Sequence, residues 1–350
     1  MKETKFKDTE IGKIPEEWEV KKLGAVFDIG NGRDYKHLNT GKIPVYGTGG
    51  LMTYVNEYLY DGETVCIGRK GTINMPQYHN GKIWTVDTLF YTYNFRKTDV
   101  KFLYYLTQRI DWNSYNTATG VPSLTSQNIS NILVSFPPLH EQHRIASALT
   151  SIDNLISSLG KQIEKKKNIK QGAMQQLLTG KIRLKEFTEP WVYRKISEIA
   201  TTSSGGTPSR SIPNYYYGDI KWFTTTELKD NYLYDSVEHI TREALNNSSA
   251  KMFSANTILM AMYGATIGKL GVLKEPSTTN QACCAIKCND IVEIFLFYIL
   301  LYNRKSIIEK GCGAGQPNIS QAIVNELSFL VPPCEKEQQA IANILSKMDN

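Results

Sequence analysis

The 350-residue sequence predicts a mixed α+β chain: two pseudo-repeated domains, each followed by a helix, the first helix long and its second copy truncated. Three observations predict it. An internal repeat runs at a nearly constant offset, short β-rich runs punctuated by Gly, Asn and Pro fill each copy, and a long apolar stripe at heptad spacing lies between the copies. Composition agrees: 41% hydrophobic and 21% charged residues are globular proportions that exclude a disordered chain, and the length exceeds one ordinary core.

The repeat is clearest where each domain ends. Phe136-Pro-Pro-Leu-His-Glu-Gln-His-Arg-Ile-Ala returns as Val331-Pro-Pro-Cys-Glu-Lys-Glu-Gln-Gln-Ala-Ile-Ala. Pro137 and Pro138 match Pro332 and Pro333 at an offset of 195, and Glu141, Gln142, Ile145, Ala146, Leu149 and Asp153 match Glu337, Gln338, Ile341, Ala342, Leu345 and Asp349 at 196. Upstream, Gly120-Val-Pro-Ser-Leu-Thr matches Gly315-Gln-Pro-Asn-Ile-Ser. Weaker parallels join Trp18 to Trp191, Ile67-Gly-Arg-Lys-Gly to Met262-Tyr-Gly-Ala, and Phe102-Leu-Tyr-Tyr-Leu to Phe295-Leu-Phe-Tyr-Ile. Between these anchors, for example Arg33–Tyr54 against Thr207–Leu228, nothing aligns. One frame with two contents is the pattern of a scaffold that presents two different surfaces.

Each element follows in order. Domain one is predicted over 1–138, a helix over 139–182, domain two over 183–333 and a second helix start over 334–350. Thr64-Val-Cys-Ile and Thr257-Ile-Leu-Met read as strands, and Phe102–Ile110 and Ile294–Leu301 as short buried helices. The Pro-Pro pair ends each domain, because the residue before proline is pushed out of helical geometry. Then Ile145, Leu149, Ile152, Ile156, Leu159 and Ile163 step alternately by four and three, a coiled-coil seam that resumes at Ala173 and Leu177. Residues 140–179 make about 60 Å of helix, with Gly180 as the stop. The expected partner for the stripe is the second copy, carrying Ile341 and Leu345, in an antiparallel pair. That copy ends 26 residues short of a counterpart to Gly180 (180 − 154). The alternative is a helical linker that packs on its own domains.

Net charge is +6, and most of the excess lies in 141–186, with nine basic and four acidic residues. That permits an anionic partner. The six cysteines have irregular spacing and form neither a disulfide framework nor a zinc motif. Ile291–Tyr302 is too short to span a membrane and contains Glu293, and the first ten residues are charged; a soluble, cytoplasmic chain is expected. Convergent catalytic groups are not apparent. Gly264-Ala-Thr-Ile-Gly-Lys269 is one residue short of a phosphate loop and lacks the following Ser or Thr. Asp219 with Glu227 and Lys229 mimics a metal-dependent nuclease and is kept as an alternative, as is a non-DNA helical adaptor.

What remains are polar, glycine-rich loops. In the first domain they offer Arg33, Lys36, Thr48, Arg69, Lys70, Thr72, Ser123 and Thr125. In the second they offer Thr207, Ser209, Arg210, Thr224, Thr225, Lys229, Tyr263, Lys269, Gln316 and Asn318. Such donors suit phosphates and base edges.

With the repeat in hand, the chain resembles the specificity subunit of a type I DNA restriction–modification system. Ile11-Gly-Lys-Ile-Pro-Glu-Glu-Trp18, the twice-used Pro-Pro…Glu-Gln…Ile-Ala signature, Gly205-Gly-Thr-Pro-Ser-Arg210 and Tyr263-Gly-Ala-Thr-Ile-Gly-Lys269 carry the resemblance. It implies two target-recognition domains, each reading half of a split double-stranded DNA sequence, and spacer helices that act as a ruler. It implies docking of two modification subunits and of restriction subunits. S-adenosylmethionine, ATP and Mg2+ are then expected in those partners, with no cofactor, metal or catalytic residue in this chain. The shortened second helix departs from the family pattern and leaves self-association through the incomplete spacer as a further expectation.

Overall fold

The computed structural model describes residues 5–311 and 318–349. The chain divides into two compact units, Met1–Gly160 and Lys161–Asn350. Unit one opens with β1 (Phe6–Thr9), β2 (Gly12–Pro15) and β3 (Glu19–Lys22). Next come β4 (Asp28–Asn31), β5 (Thr40–Gly47), β6 (Gly50–Val55), β7 (Tyr60–Gly68), β8 (Gln77–Thr85) and β9 (Leu89–Tyr93). Helices α1 (Val100–Thr107) and α2 (Ser126–Asn131), strand β10 (Leu133–Phe136) and helix α3 (Leu139–Leu177) follow. The main sheet has the order β4-β9-β7-β8-β5-β6, antiparallel except for the β5–β8 pair. Strand β10 closes back on β3, and the core beneath gathers Leu23, Phe27, Ile67, Phe90, Leu103, Leu124, Ile129 and Phe136.

Unit two holds β11 (Val192–Lys195), α4 (Ile196–Ile199), β12 (Ala200–Ser204), β13 (Ile220–Phe223), β14 (Asn231–Leu233) and β15 (Glu238–Ile240). It continues with α5 (Arg242–Asn246), β16 (Ile258–Ala261), β17 (Leu270–Leu273), β18 (Thr278–Thr279), β19 (Cys283–Cys288) and α6 (Glu293–Tyr302). It ends with α7 (Arg304–Gly311), α8 (Gln321–Glu326), β20 (Ser328–Val331) and α9 (Glu335–Ser346). Its sheets run β12-β19-β16-β17-β14 and β15-β13-β18, and β20 closes on β11 as β10 does on β3. The unaligned stretches differ for a visible reason. Residues 33–54 build the β5–β6 hairpin of unit one, whereas 207–228 lead into a separate three-stranded sheet. Helix α6 is apolar on every face and buried from Phe295 to Leu300, as a core helix must be. Among the described residues no helix is long and apolar enough to cross a membrane.

The Glu-Gln signature acquires a physical meaning. Gln142 is buried; its amide nitrogen donates to the Pro137 carbonyl (2.9 Å) and to the Lys97 carbonyl (3.2 Å), and its amide oxygen accepts the Asp99 N–H (3.0 Å) just before α1. Gln338 repeats this in unit two: it donates to the Pro332 carbonyl (2.9 Å) and accepts the Val292 N–H (2.8 Å) just before α6. Glu141 accepts the Trp18 indole N–H (3.0 Å), and Glu337 accepts that of Trp191 (3.3 Å). The Tyr105 hydroxyl donates to Asp153 (2.7 Å), and the Tyr298 hydroxyl to Asp349 (2.5 Å). The step from offset 195 to 196 is one residue, Cys334, inserted between the second proline pair and α9.

Helix α3 matches the expected start and stops at Leu177, with Gly180 three residues on at φ +68°. The stripe fares differently along its length. Ile145 is half-buried against the core of unit one; Leu149 is already exposed, and every residue from 151 to 169 is exposed, including Ile152, Ile156, Leu159 and Ile163. At the far end Leu177 is 9% exposed, and on α9 Ile341 and Leu345 are 1% and 0% exposed. These three lie in one apolar cluster with α6, the core of unit two. Helix α9 also ties to α3 through the Lys170–Asp349 ion pair.

Gln142→Ala would leave the buried Pro137 carbonyl and the part-buried Asp99 N–H and Lys97 carbonyl without this partner, at a cost of about 1–3 kcal/mol. We expect Gln142→Ala to speed hydrogen exchange at the Asp99 amide, and Gln338→Ala to do so at the Val292 amide. Unchanged exchange in both would refute the role given to these amides.

Candidate nucleic-acid interface

In unit one the candidate loops converge on the turn Val86–Thr88. The Arg69 and Lys70 N–H groups both donate to the Thr88 carbonyl (2.8 and 3.3 Å), and Arg69 Nη1 donates to the Asp87 carbonyl (3.3 Å). The Val86 N–H donates to the Tyr46 carbonyl (3.0 Å) at the end of β5. The loop carrying Arg33 approaches from the other side, so closely that a Cβ on Gly32 would sit 1.9 Å from the Val86 carbonyl oxygen. A Cβ on Gly71 would lie 3.6 Å from the Thr48 hydroxyl. The 68–72 loop is also tied to the 116–124 loop: Lys70 bridges Ser123, Gly71 N–H donates to Pro122 O (2.9 Å), and Leu124 N–H donates to Arg69 O (2.8 Å). Arg33, Thr48, Arg69, Lys70, Thr72 and Ser123 thus belong to one loop cluster. Lys36 follows on the same loop as Arg33, its N–H bonded to Asp34 (3.3 Å).

Thr125 plays another part. Its hydroxyl accepts the Asn128 N–H (3.1 Å) and caps α2, as Ser320 caps α8. Beside the cluster opens a cleft of about 460 Å3 lined by Tyr46, Thr48, Thr72, Gln77, His79 and Tyr104. The Tyr46 and His79 rings stack at 3.8 Å, and burial pushes the His79 imidazole down to about 4, so the ring is neutral near pH 7.

In unit two the corresponding loops are more self-contained. Tyr263 bridges Asn318, and the Ile319 N–H donates to the Met262 carbonyl (2.7 Å), the counterparts of the two ties just described. Arg210 is committed: both terminal nitrogens engage Glu238 (2.5 and 2.7 Å), and its guanidinium lies 4.0 Å from the centre of the Tyr216 ring. That pairing holds the Glu238 carboxyl below its ordinary range. Ser209 bonds Ser211 (2.7 Å), and Thr207 bonds Gln281. Lys269 donates to Asp230 (3.1 Å), which also binds Arg304 and the Leu270 N–H (3.1 Å). Burial alone would raise the Asp230 carboxyl, but these partners outweigh it and hold it low. Gln316 lies outside the described residues.

Glu227, the central residue of the nuclease alternative, has structural partners. Glu227 accepts the Thr224 N–H (2.7 Å) and hydroxyl (2.8 Å) with one oxygen and the Val237 N–H (2.8 Å) with the other. It forms a capping box with Thr224 at the turn Thr225–Glu227. Among the described residues no group of three or more His, Cys, Asp or Glu is placed to hold a metal. Burial pushes the Cys283, Cys284 and Cys288 thiols up to about 12, which fits inert core thiols.

Two structural residues escaped the sequence reading. Asn116 accepts the Ala118 and Ser123 N–H groups (3.1 and 2.9 Å) and shapes the loop that meets Lys70. An Asn ahead of a Thr- and Gly-rich stretch is the signal for such a turn. Asp230, at φ +63°, anchors the 263–269 loop; its signal was the Lys-Asp-Asn turn beside β14.

Comparison with known proteins agrees with this frame. The type I restriction modification DNA specificity domain matches residues 15–170 and again 188–350. The chain is 27% identical, over its full length and 90% of the relative, to the specificity subunit of the type I restriction enzyme MjaVIII of Methanocaldococcus jannaschii. It is 27% identical to the specificity subunit of EcoR124I/EcoR124II of Escherichia coli, over 59% of this chain and 52% of that one. Among solved structures, the S subunit of a type I restriction–modification system from M. genitalium superposes with a TM-score of 0.69 at 17% identity, covering 95% of this chain and 89% of its own.

Thr125→Ala removes a helix cap and should cost about 1 kcal/mol of stability. Chemical denaturation of the protein checks this, and an unchanged midpoint would contradict it.

Proposed function

The chain belongs to the type I restriction–modification DNA specificity family, and from that premise we propose that it reads a split, asymmetric double-stranded DNA target, one half per unit. The observation that carries this reading is the pair of frames that agree hydrogen bond by hydrogen bond while their loops differ in content. A symmetric reader would need no such divergence. Arg69, Lys70, Lys36 and Lys229 are exposed on these loops, and cations there favour phosphate and base contacts.

The chemistry is assigned to partners. Two modification subunits would methylate adenine with S-adenosylmethionine, and restriction subunits would use ATP and Mg2+ to translocate and cut. The exposed stripe Leu149, Ile152, Ile156, Leu159 and Ile163 supports docking, because a helix with an uncovered apolar face needs a covering surface. A modification subunit or a second copy of this chain would supply it.

Exchanging residues 1–136 for another unit of the family should change one half of the methylated sequence and leave the other intact. Sequencing of methylated adenines reads this directly. A change in both halves would overturn the assignment of one half per unit.

A further inference from the structure

The shared frame places Lys70 and Tyr263 at one equivalent position. Each forms an isolated β-bridge to the neighbouring loop, Lys70 to Ser123 and Tyr263 to Asn318. In each unit the residue before it accepts a backbone bond from a buried anchor: Leu124 N–H to Arg69 O (2.8 Å), Ile319 N–H to Met262 O (2.7 Å). Leu124 and Ile319 are 1% and 0% exposed, each in the core of its own unit. The residue after it is a glycine at positive φ, Gly71 at +94° and Gly264 at +80°. Side chains rarely adopt that backbone, so the turn is imposed by glycine in both copies. Two unlike side chains, an ammonium and a phenol, therefore stand on the same braced turn, both exposed.

We propose that this turn is the reading position of each unit and that Lys70 is a specificity-determining residue that selects guanine in the half-site of unit one. The inference rests on the split-target reading above. An ammonium only donates, and guanine is the base whose major-groove edge offers two acceptors, N7 and O6, without a donor. A tyrosine hydroxyl both donates and accepts, so Tyr263 does not impose that choice and the two halves differ at matched places. Rigidity adds to selectivity, since a braced backbone leaves only the side chain to be ordered on binding. Availability separates Lys70 from Arg210 and Lys269, and the braced turn separates it from Arg33, Lys36 and Lys229, which are in no ion pair among the described residues either. Arg210 is taken by Glu238 and Lys269 by Asp230, whereas no ion pair among the described residues includes Lys70. Arg69 beside it is held by the Asp87 carbonyl and lies 5.9 Å from the centre of the Phe90 ring, which fits a supporting contact.

The test uses the full chain assembled with its methyltransferase partner, comparing the natural protein with Lys70→Ala and Lys70→Arg by mapping methylated adenines. The natural complex should require guanine at a position of the half assigned to unit one by the 1–136 exchange. Lys70→Ala should relax that position, with discrimination against other bases falling about tenfold, while the second half stays intact and Lys70→Arg keeps guanine. An unaltered motif in Lys70→Ala would overturn the proposal. So would an equal loss at all sites, the sign of a phosphate contact, or a unit-one half-site without guanine. Absence of any split motif in the natural complex would instead strike the split-target reading and take this inference with it.

Discussion

Much of this molecule depends on two buried glutamine amides. Gln142 and Gln338 each satisfy a proline carbonyl just after a strand and a backbone N–H that begins a core helix, so a strand end and two helices meet at one side chain. Burying an amide is costly unless its donor and acceptor are both used, and here both are. The neighbouring glutamates take tryptophan indoles from the start of each domain, and tyrosine–aspartate bonds fasten the helix a few turns further on. The partners come from distant parts of the chain, so each junction ties several elements together.

The junctions are what the two units share, and the loops are what distinguishes them. The braced turns at Lys70 and Tyr263 repeat in backbone but not in chemistry. Two of the cations named from sequence as DNA contacts, Arg210 and Lys269, are held in ion pairs within the loops. Arg210 spends its fork on Glu238, and Arg304 and Lys269 converge on Asp230 to hold the 263–269 loop. Unit two therefore offers less unpaired positive charge from its candidate loops than unit one does, which is consistent with two surfaces that read different sequences.

The fold was largely legible because its frame rests on local rules. Alternating apolar runs, Pro-Pro stops, heptad spacing and a repeated Glu-Gln each bear on short stretches of chain, and the repeat multiplied every signal by two. Individual sites were less legible. Thr125 and Glu227, named from sequence as ligand-facing groups, also serve as caps, a role that depends on the backbone three residues away. Asn116 and Asp230 were passed over because their importance lies in which loop they hold, and loop partners are set by tertiary contact rather than by spacing. The apolar stripe divided in a way no periodicity predicts: Ile341 and Leu345 enter the core of their own unit, while Ile152 to Ile163 remain uncovered.

The most direct test of a repeated frame that reads two unlike half-sites is a genome-wide map of methylated adenine in the host, with this gene intact and deleted. The account predicts that one split, asymmetric motif disappears on deletion and that all other methylation persists. A lost motif that is continuous or palindromic, or no lost motif at all, would contradict it.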